Sequence, residues 1–548
     1  MKKKARRIIL FCLVAATGVI LSLIVYIQKR TGPDYVRHFA RLMPPETAAF
    51  VSLRDFSGLW DQASSLGVYH EIMESDELGR VLISSDDYRE WKNQLSEIEY
   101  KTRMQLGRDF LLKWMGQELA AAIVPPSSPD APPSILVMSR TRIGFEEKLA
   151  EFVAGYYPDL NLERQKFKNV TINRYKGKEN TRSFSYLRFG RTVFLTIRSP
   201  DTTLLKRIVD LKNDRSLPRL YDREDFRNYL SILPLSGNLS GYVNPASLTA
   251  FLEASQKQSD SESLKENLPL ICRGLSPYRF IHVEIHLDKG LHGAVRLYHR
   301  SPREIIPPPR HYRGMNQIPA DASVFLGLKD HRLGETLHEF SDTFFRKETY
   351  TGDEPEFFPE LHLLLERHIL PDVKNEILVS LNRMEPGFIS PLFDGDLLVE
   401  TRDSSRSEKT LTRLMASMGT GDSSSIITPA GTIGSAMEGD FAHIRIRGDA
   451  EGEKSSRGGS SLSRHPLFQS LFSDLPDNTR LVLYINFDRV SDDLENLAKR
   501  SIRWNEKTRK RIKRFEKWAS VCRYLGGCAV RDDQTPEATL YKLYIPLE

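Results

Sequence analysis

Cysteine is scarce in this chain, 4 among 548 residues, which excludes a small domain held together by a disulfide framework. Charge of one sign is not in large excess: 78 Lys and Arg stand against 72 Asp and Glu, a formal net charge of +6 with both signs spread along the length. Glycine (33) and proline (30) show no period, so a collagen-like chain is excluded. The apolar share, 40%, is too high for a wholly disordered chain, and the length asks for two or more large domains. Signatures of common chemistries are also missing. There is no GxSxG elbow, no GxxxxGK[ST] phosphate loop and no HExxH helix. His70-Glu71 with Glu74, and His338-Glu339 with Asp342, approach the last pattern. Each ends in a carboxylate where the second His belongs, so they read as solvated helix faces.

Long uncharged runs are lacking too, with one exception. Ile8 to Ile27 is a stretch of 20 residues without charge. As a helix it would be about 30 Å long, the thickness of a bilayer core. Lys2, Lys3, Lys4, Arg6 and Arg7 precede it. This denser basic flank predicts a cytoplasmic tail over 1–7, a transmembrane anchor over 8–27 and a body outside the cytoplasm. Cys12 lies within the run; Cys272, Cys522 and Cys528 remain for an oxidising compartment, where an odd number leaves at least one unpaired.

The body repeats itself. MPPETAAFVSLRD at 43–55 is echoed by QIPADASVFLGLKD at 317–330, so Phe50, Leu53 and Asp55 lie over Phe325, Leu328 and Asp330. Glu118 corresponds to Glu376, Tyr242-Val-Asn244 to Tyr484-Ile-Asn486, and Cys272-Arg273 to Cys522-Arg523. Pro307 to Pro309 exclude helix and interior strand between the copies. The expected organisation is a first repeat over 43–300, a Pro-rich linker over 301–316 and a second repeat over 317–548. Strands alternate in polarity and are separated by helix-length segments, among them 145–156 and 409–418. That pattern predicts α+β domains with mostly antiparallel sheets. The sharpest element is a hairpin, Ile281–Leu287 and Leu291–Tyr298, around Asp288-Lys-Gly290.

The opening Pro45, Thr47, Phe50, Val51, Leu53 and Asp55, the Tyr242-Val-Asn244 strand and their second-half counterparts, behind a basic tail and single span, resemble a bacterial family of membrane-anchored exported proteins of unknown function. The resemblance covers nearly the whole body, implies a single-pass bacterial inner-membrane protein with its bulk periplasmic or otherwise extracytoplasmic, and carries over no catalytic residue.

Two groups of side chains are candidate sites. His282, Glu284 and His286 alternate on one face of the hairpin, and His292 falls opposite His286, a set of zinc-type ligands if they converge. Arg296 opposite His282 offers Glu284 a simpler partner, which makes the face polar and solvated. The second group is a basic amphipathic helix over 499–518, with Lys499, Arg500, Arg503, Lys507, Arg509, Lys510, Arg511, Lys513, Arg514 and Lys517. It suits an anionic lipid, a glycan or an acidic envelope protein, and an exported location argues against nucleic acid. No cofactor is implied and catalysis is not expected. The leading expectation is a non-catalytic, membrane-anchored scaffold or binding module; the alternatives are a metal-assisted envelope hydrolase and a lipid- or lipoprotein-handling module.

Overall fold

The computed structural model describes residues 38–54, 118–125, 134–140, 160–177, 183–197, 202–232, 239–257, 262–287, 290–302, 312–331, 372–386, 391–418, 425–428, 431–447, 461–472, 479–500, 527–535 and 537–546, with a few isolated positions. The chain divides into two compact units, with the boundary between Arg303 and Glu304 and the short stretch Glu537–Thr539 belonging to the first.

The first unit is an antiparallel sheet with helices. Its strands are β1 (Ala49–Arg54), β2 (Glu118–Val124), β3 (Ser134–Arg140), β4 (Asn161–Phe167), β5 (Val170–Lys176), β6 (Ser183–Phe189), β7 (Thr192–Ile197), β8 (Leu239–Val243), β9 (Tyr278–Leu287) and β10 (Gly290–His299). They pair in the order β10-β9-β8-β1-β2-β3-β7-β6-β5-β4, every pair antiparallel. The helices are α1 (Thr203–Asn213), α2 (Glu224–Ile232), α3 (Pro245–Lys257) and α4 (Glu262–Leu275). In α1 the apolar residues Leu204, Leu205, Ile208, Val209 and Leu211 recur at helical spacing and are all buried. They join Phe50, Leu136, Phe194, Phe226, Tyr229 and Tyr242 in one core.

The second unit comprises β11 (Val324–Lys329), β12 (Val373–Pro386), β13 (Pro391–Thr401), α5 (Ser404–Met418), β14 (Ser425–Thr428), β15 (Gly431–Glu438), β16 (Phe441–Arg447), α6 (Pro466–Phe472), β17 (Leu481–Asn486), α7 (Phe487–Arg500), β18 (Gly527–Gln534) and, from Leu540 onward, β19 (Ala538–Pro546). The order β18-β17-β11-β12-β13-β16-β15-β14 is again antiparallel throughout. Strand for strand it reads as β9-β8-β1-β2-β3-β7-β6-β5 of the first unit.

The likeness extends to single residues. Phe50 lies opposite Tyr242, and Phe325 opposite Tyr484. Arg54 faces Glu118, and Lys329 faces Glu376. Asn244 donates its backbone N–H to Ala48 and Asn486 to Ser323, at 2.7 and 2.8 Å. Each Asn then caps the following helix, Asn244 Oδ1 accepting from Ser247 N and Asn486 Oδ1 from Arg489 N. Phe226 packs edge-on against Phe50 and Tyr242; Phe468 does the same against Phe325 and Tyr484. Gly190 and Gly439, both at positive φ, open the corresponding two-residue turns β6–β7 and β15–β16.

The membrane-anchored architecture expected from the sequence is corrected. Among the described residues no helix is long and apolar enough to cross a membrane. The physical reason is length and pattern. The longest, α5, has 15 residues, about 22 Å against a hydrocarbon core of about 30 Å, and its polar positions alternate with its apolar face. The 8–27 segment, on which the expectation rested, lies outside the described residues, as do the 1–7 tail and the 145–156 helix. No described helix therefore supports the anchor, the single-pass inner-membrane location, the periplasmic body or the membrane as partner.

Candidate functional site

The hairpin forms with the expected pairing, Leu291 opposite Leu287, His292 opposite His286 and Arg296 opposite His282. Its polar face does not point to solvent at His282. Phe280 and His282 share a strand face, and both are buried, Phe280 with a ring contact to Tyr242 and His282 with one to Tyr229. Tyr229 donates to Ser240 Oγ at 3.0 Å, and Ser240 Oγ lies 3.3 Å from His282 Nε2. Burial, followed by the charge of Arg296, lowers the His282 pKa to about 4. His286 and His292 remain side by side, their ring centroids 6.2 Å apart. Among the described residues no three His, Cys, Asp or Glu side chains are placed to hold a metal. The candidate ligands His282, Glu284, His286 and His292 therefore do not form a centre, and the metal-assisted hydrolase falls with them. The reason is that the face carrying His282, Glu284 and His286 also carries Phe280, which packs into the core and takes His282 inward with it.

Of the basic cluster, Lys499 pairs with Glu495 one helical turn earlier, at 3.3 Å. Arg500 closes α7, and Arg503, Lys507, Arg509, Lys510, Arg511, Lys513, Arg514 and Lys517 lie outside the described residues. Cys272 and Cys528 are both free thiols, and Cys522 is also outside. Burial pushes the Cys528 thiol up to about 11, so it is inert at neutral pH.

A different place in the first unit gathers charged groups. Arg223, Glu224, Asp225, Asn244, Ala246, Arg279 and Arg300 line a cleft of about 440 Å³. Arg223 and Asp225 come from the tight 3-10 turn at Leu220–Asp222 and the start of α2; Arg279 is at the start of β9, and Arg300 follows β10. Pairing of β9 with β10 returns the chain so that Arg279 and Arg300 share one end of the sheet.

Asp225 forms the floor. Its carboxylate accepts from Arg223 Nε (3.0 Å) and Nη2 (2.7 Å), Tyr242 Oη (2.8 Å), Asn244 Nδ2 (3.2 Å) and the Phe226 N–H (2.9 Å). Burial opposes ionisation, but the Arg223 guanidinium and these donors outweigh it and hold the carboxyl below its ordinary range. Burial, with the Asp225 charge beside it, raises the Tyr242 phenol, which stays a neutral donor. Arg223 also donates Nη1 to the Pro45 carbonyl at 2.9 Å. The pair is thus charge-neutral and fixed by several hydrogen bonds.

The other two arginines are held loosely. Arg279 Nη2 lies 3.0 Å from Glu224 Oε1, and the Glu224 side chain is 72% exposed. Arg300 donates Nε to the Tyr278 carbonyl at 3.2 Å and lines the cleft.

The second unit does not repeat this site. Leu220 donates its N–H to the Met43 carbonyl as Leu462 does to Ile318, and Phe226 matches Phe468, so the intervening positions align without a gap. Arg223 and Asp225 then correspond to His465 and Leu467. The polar cleft is a feature of one copy, not a requirement of the sheet. It is also not the apolar cavity a lipid-handling module needs.

No protein-family model, curated protein or solved structure matches this chain. The family resemblance of the opening motif finds no support there, and function is read from geometry alone.

Proposed function

We propose that the first unit binds a small oxyanion-bearing ligand in the cleft between Arg279 and Arg300, over the Arg223–Asp225 floor. The single observation that carries this reading is that three arginines, from three separate parts of the chain, line one cleft, two of them outside the locked Arg223–Asp225 pair. Guanidinium forks match carboxylate and phosphate oxygens in pairs and keep their charge at every relevant pH. The volume lies in the range of small-molecule sites. Among the described residues the lining carries no Ser, Cys, His, Lys or Tyr, and of its two carboxylates Asp225 is buried and fully hydrogen-bonded while Glu224 is held by Arg279, which favours binding over chemistry.

Two charge-assisted contacts at about 1.5–3 kcal/mol each sum to about 3–6 kcal/mol, which before any cost of association corresponds to dissociation constants on the order of 0.05–5 mM for an isolated anion. The test is calorimetric titration of the full chain with inorganic pyrophosphate at low salt. Saturable binding is expected, weakened at least about tenfold in the double variant Arg279→Gln, Arg300→Gln. Unchanged binding in that variant contradicts the reading.

A further inference from the structure

Adjacent carboxylates in the cleft have opposite fates. Asp225 is buried and saturated by five donors. Glu224, one residue earlier in the same first turn of α2, is exposed and makes one end-on contact with Arg279. An exposed pair of that kind is worth little in water and exchanges readily. Glu224 therefore sits where an incoming oxyanion would sit, on the only cleft arginine that has a replaceable carboxylate partner among the described residues.

We propose that Glu224 is a resident competitor for the site and that the ligand is a small dianion with two oxyanion groups. One group displaces the Glu224 carboxylate from Arg279, and the other engages Arg300. This inference rests on the reading of the cleft as an anion site.

Charge counting supports the dianion. Arg223 and Asp225 cancel, and both are locked. When Glu224 swings into solvent, Arg279 and Arg300 are left as two unmatched positive charges. A monoanion satisfies one; a ligand with two anionic groups satisfies both without moving the floor. The start of α3 adds to the field. Asn244 caps the helix by accepting from Ser247 N, Pro245 has no N–H, and Ala246 lines the cleft, so the positive end of that helix faces the same space. Dicarboxylates and diphosphates both present this chemistry, and the experiment separates them.

The full chain is titrated with succinate, pyrophosphate and acetate at low ionic strength, as wild type, Glu224→Gln, Arg300→Gln and Glu253→Gln. Glu253 is an exposed carboxylate on α3 that does not line the cleft, and its variant carries the same change in net charge. At least one of the two dianions is expected to bind about tenfold or more tighter than acetate. Glu224→Gln is expected to tighten that dianion about fivefold, the size of one exposed ion pair. Glu253→Gln should leave it unchanged, and Arg300→Gln should bring it down to the acetate level. Whichever of succinate and pyrophosphate binds tighter assigns the ligand to carboxylates or phosphates. Equal tightening by Glu224→Gln and Glu253→Gln overturns the competitor, because net charge alone would then be acting. An unchanged Glu224→Gln with a weakened Arg300→Gln also overturns it while the cleft reading stands. Acetate as tight as the dianions overturns the two-group ligand. No binding of any probe to wild type or Glu224→Gln removes the cleft reading itself.

Discussion

Asp493 shows how one side chain can tie stability to pH. It lies in α7, and its Oδ2 accepts from Ser323 Oγ at 3.2 Å and from the Met384 N–H at 3.1 Å. Desolvation outweighs those two donors and the nearby Arg383 and Arg489, and lifts its pKa from 3.8 to about 6. A carboxyl raised in the folded state favours the folded state when protonated. Its contribution is full below the ordinary value of 3.8, falls as pH rises towards 6, and is a penalty above that. Asp493→Asn keeps both acceptor contacts and removes the charge. It should stabilise the second unit by about 1 kcal/mol at pH 7.5, the full shift being discounted for partial exposure. The gain should vanish below about pH 4. Urea denaturation at the two pH values measures it; a variant less stable than wild type at pH 7.5 contradicts the assignment. Residues of this kind are poorly legible in sequence. Asp493 sits among Asp492 and Glu495 on what reads as a solvated helix. The Arg223–Asp225 pair is similarly hidden within a run, Asp-Arg-Glu-Asp at 222–225, that looks like surface charge.

At the scale of elements, the aromatic trio is the part of each core that both units share. Phe226 is buried between Phe50 and Tyr242, and Phe468 between Phe325 and Tyr484. Truncating either ring removes its burial and leaves a cavity, so Phe226→Ala and Phe468→Ala should each cost about 3–5 kcal/mol. The strands on which these rings pack were legible, because Phe50, Tyr242, Phe325 and Tyr484 stand in recognisably repeated strings. What surrounds them was not, because the units exchange polarity at matched positions. Ala122, Leu136 and Phe194 are core residues in the first unit. By strand register their places are taken in the second by Ser380, Asp396 and His443. There His443 Nε2 lies 2.8 Å from Asp396, which also receives Asn382 Nδ2 at 2.6 Å and Arg447 Nη2 at 3.2 Å. In the other direction, Tyr229, Ser240 and His282 of the first unit correspond to Leu471, Val482 and Ala529. A hydrogen-bonded polar group and an apolar one both fill such a position without large cost, so a hydropathy pattern does not distinguish a core from a buried network. Arg279 and Arg300 share one end of the sheet because the β9–β10 hairpin folds back; that hairpin was legible in the sequence, but not that its open end borders a cleft with Arg223 and Asp225.

For the whole molecule, two units with separate cores should respond separately to damage. Hydrogen exchange on the full chain is the measure. Phe226→Ala should raise exchange in β1, β8 and β9 and leave β11, β12 and β17 protected; Phe468→Ala should do the reverse. Loss of protection across both units from either substitution contradicts two cores. The duplicated strand order also gives the cleft its meaning. A feature imposed by the sheet would recur with it, and the second unit has His465 and Leu467 where the first has Arg223 and Asp225.

The most direct test is to see the anion. Selenate is a tetrahedral dianion with an anomalous scatterer, and crystals of the full chain grown in its presence report its position without inference from affinity. An anomalous peak within hydrogen-bond reach of Arg279, where one oxyanion group replaces the Glu224 carboxylate, with the Glu224 side chain turned away, is the predicted result. A peak elsewhere on the molecule, or an empty cleft in which Glu224 still holds Arg279 at saturating selenate, would contradict it.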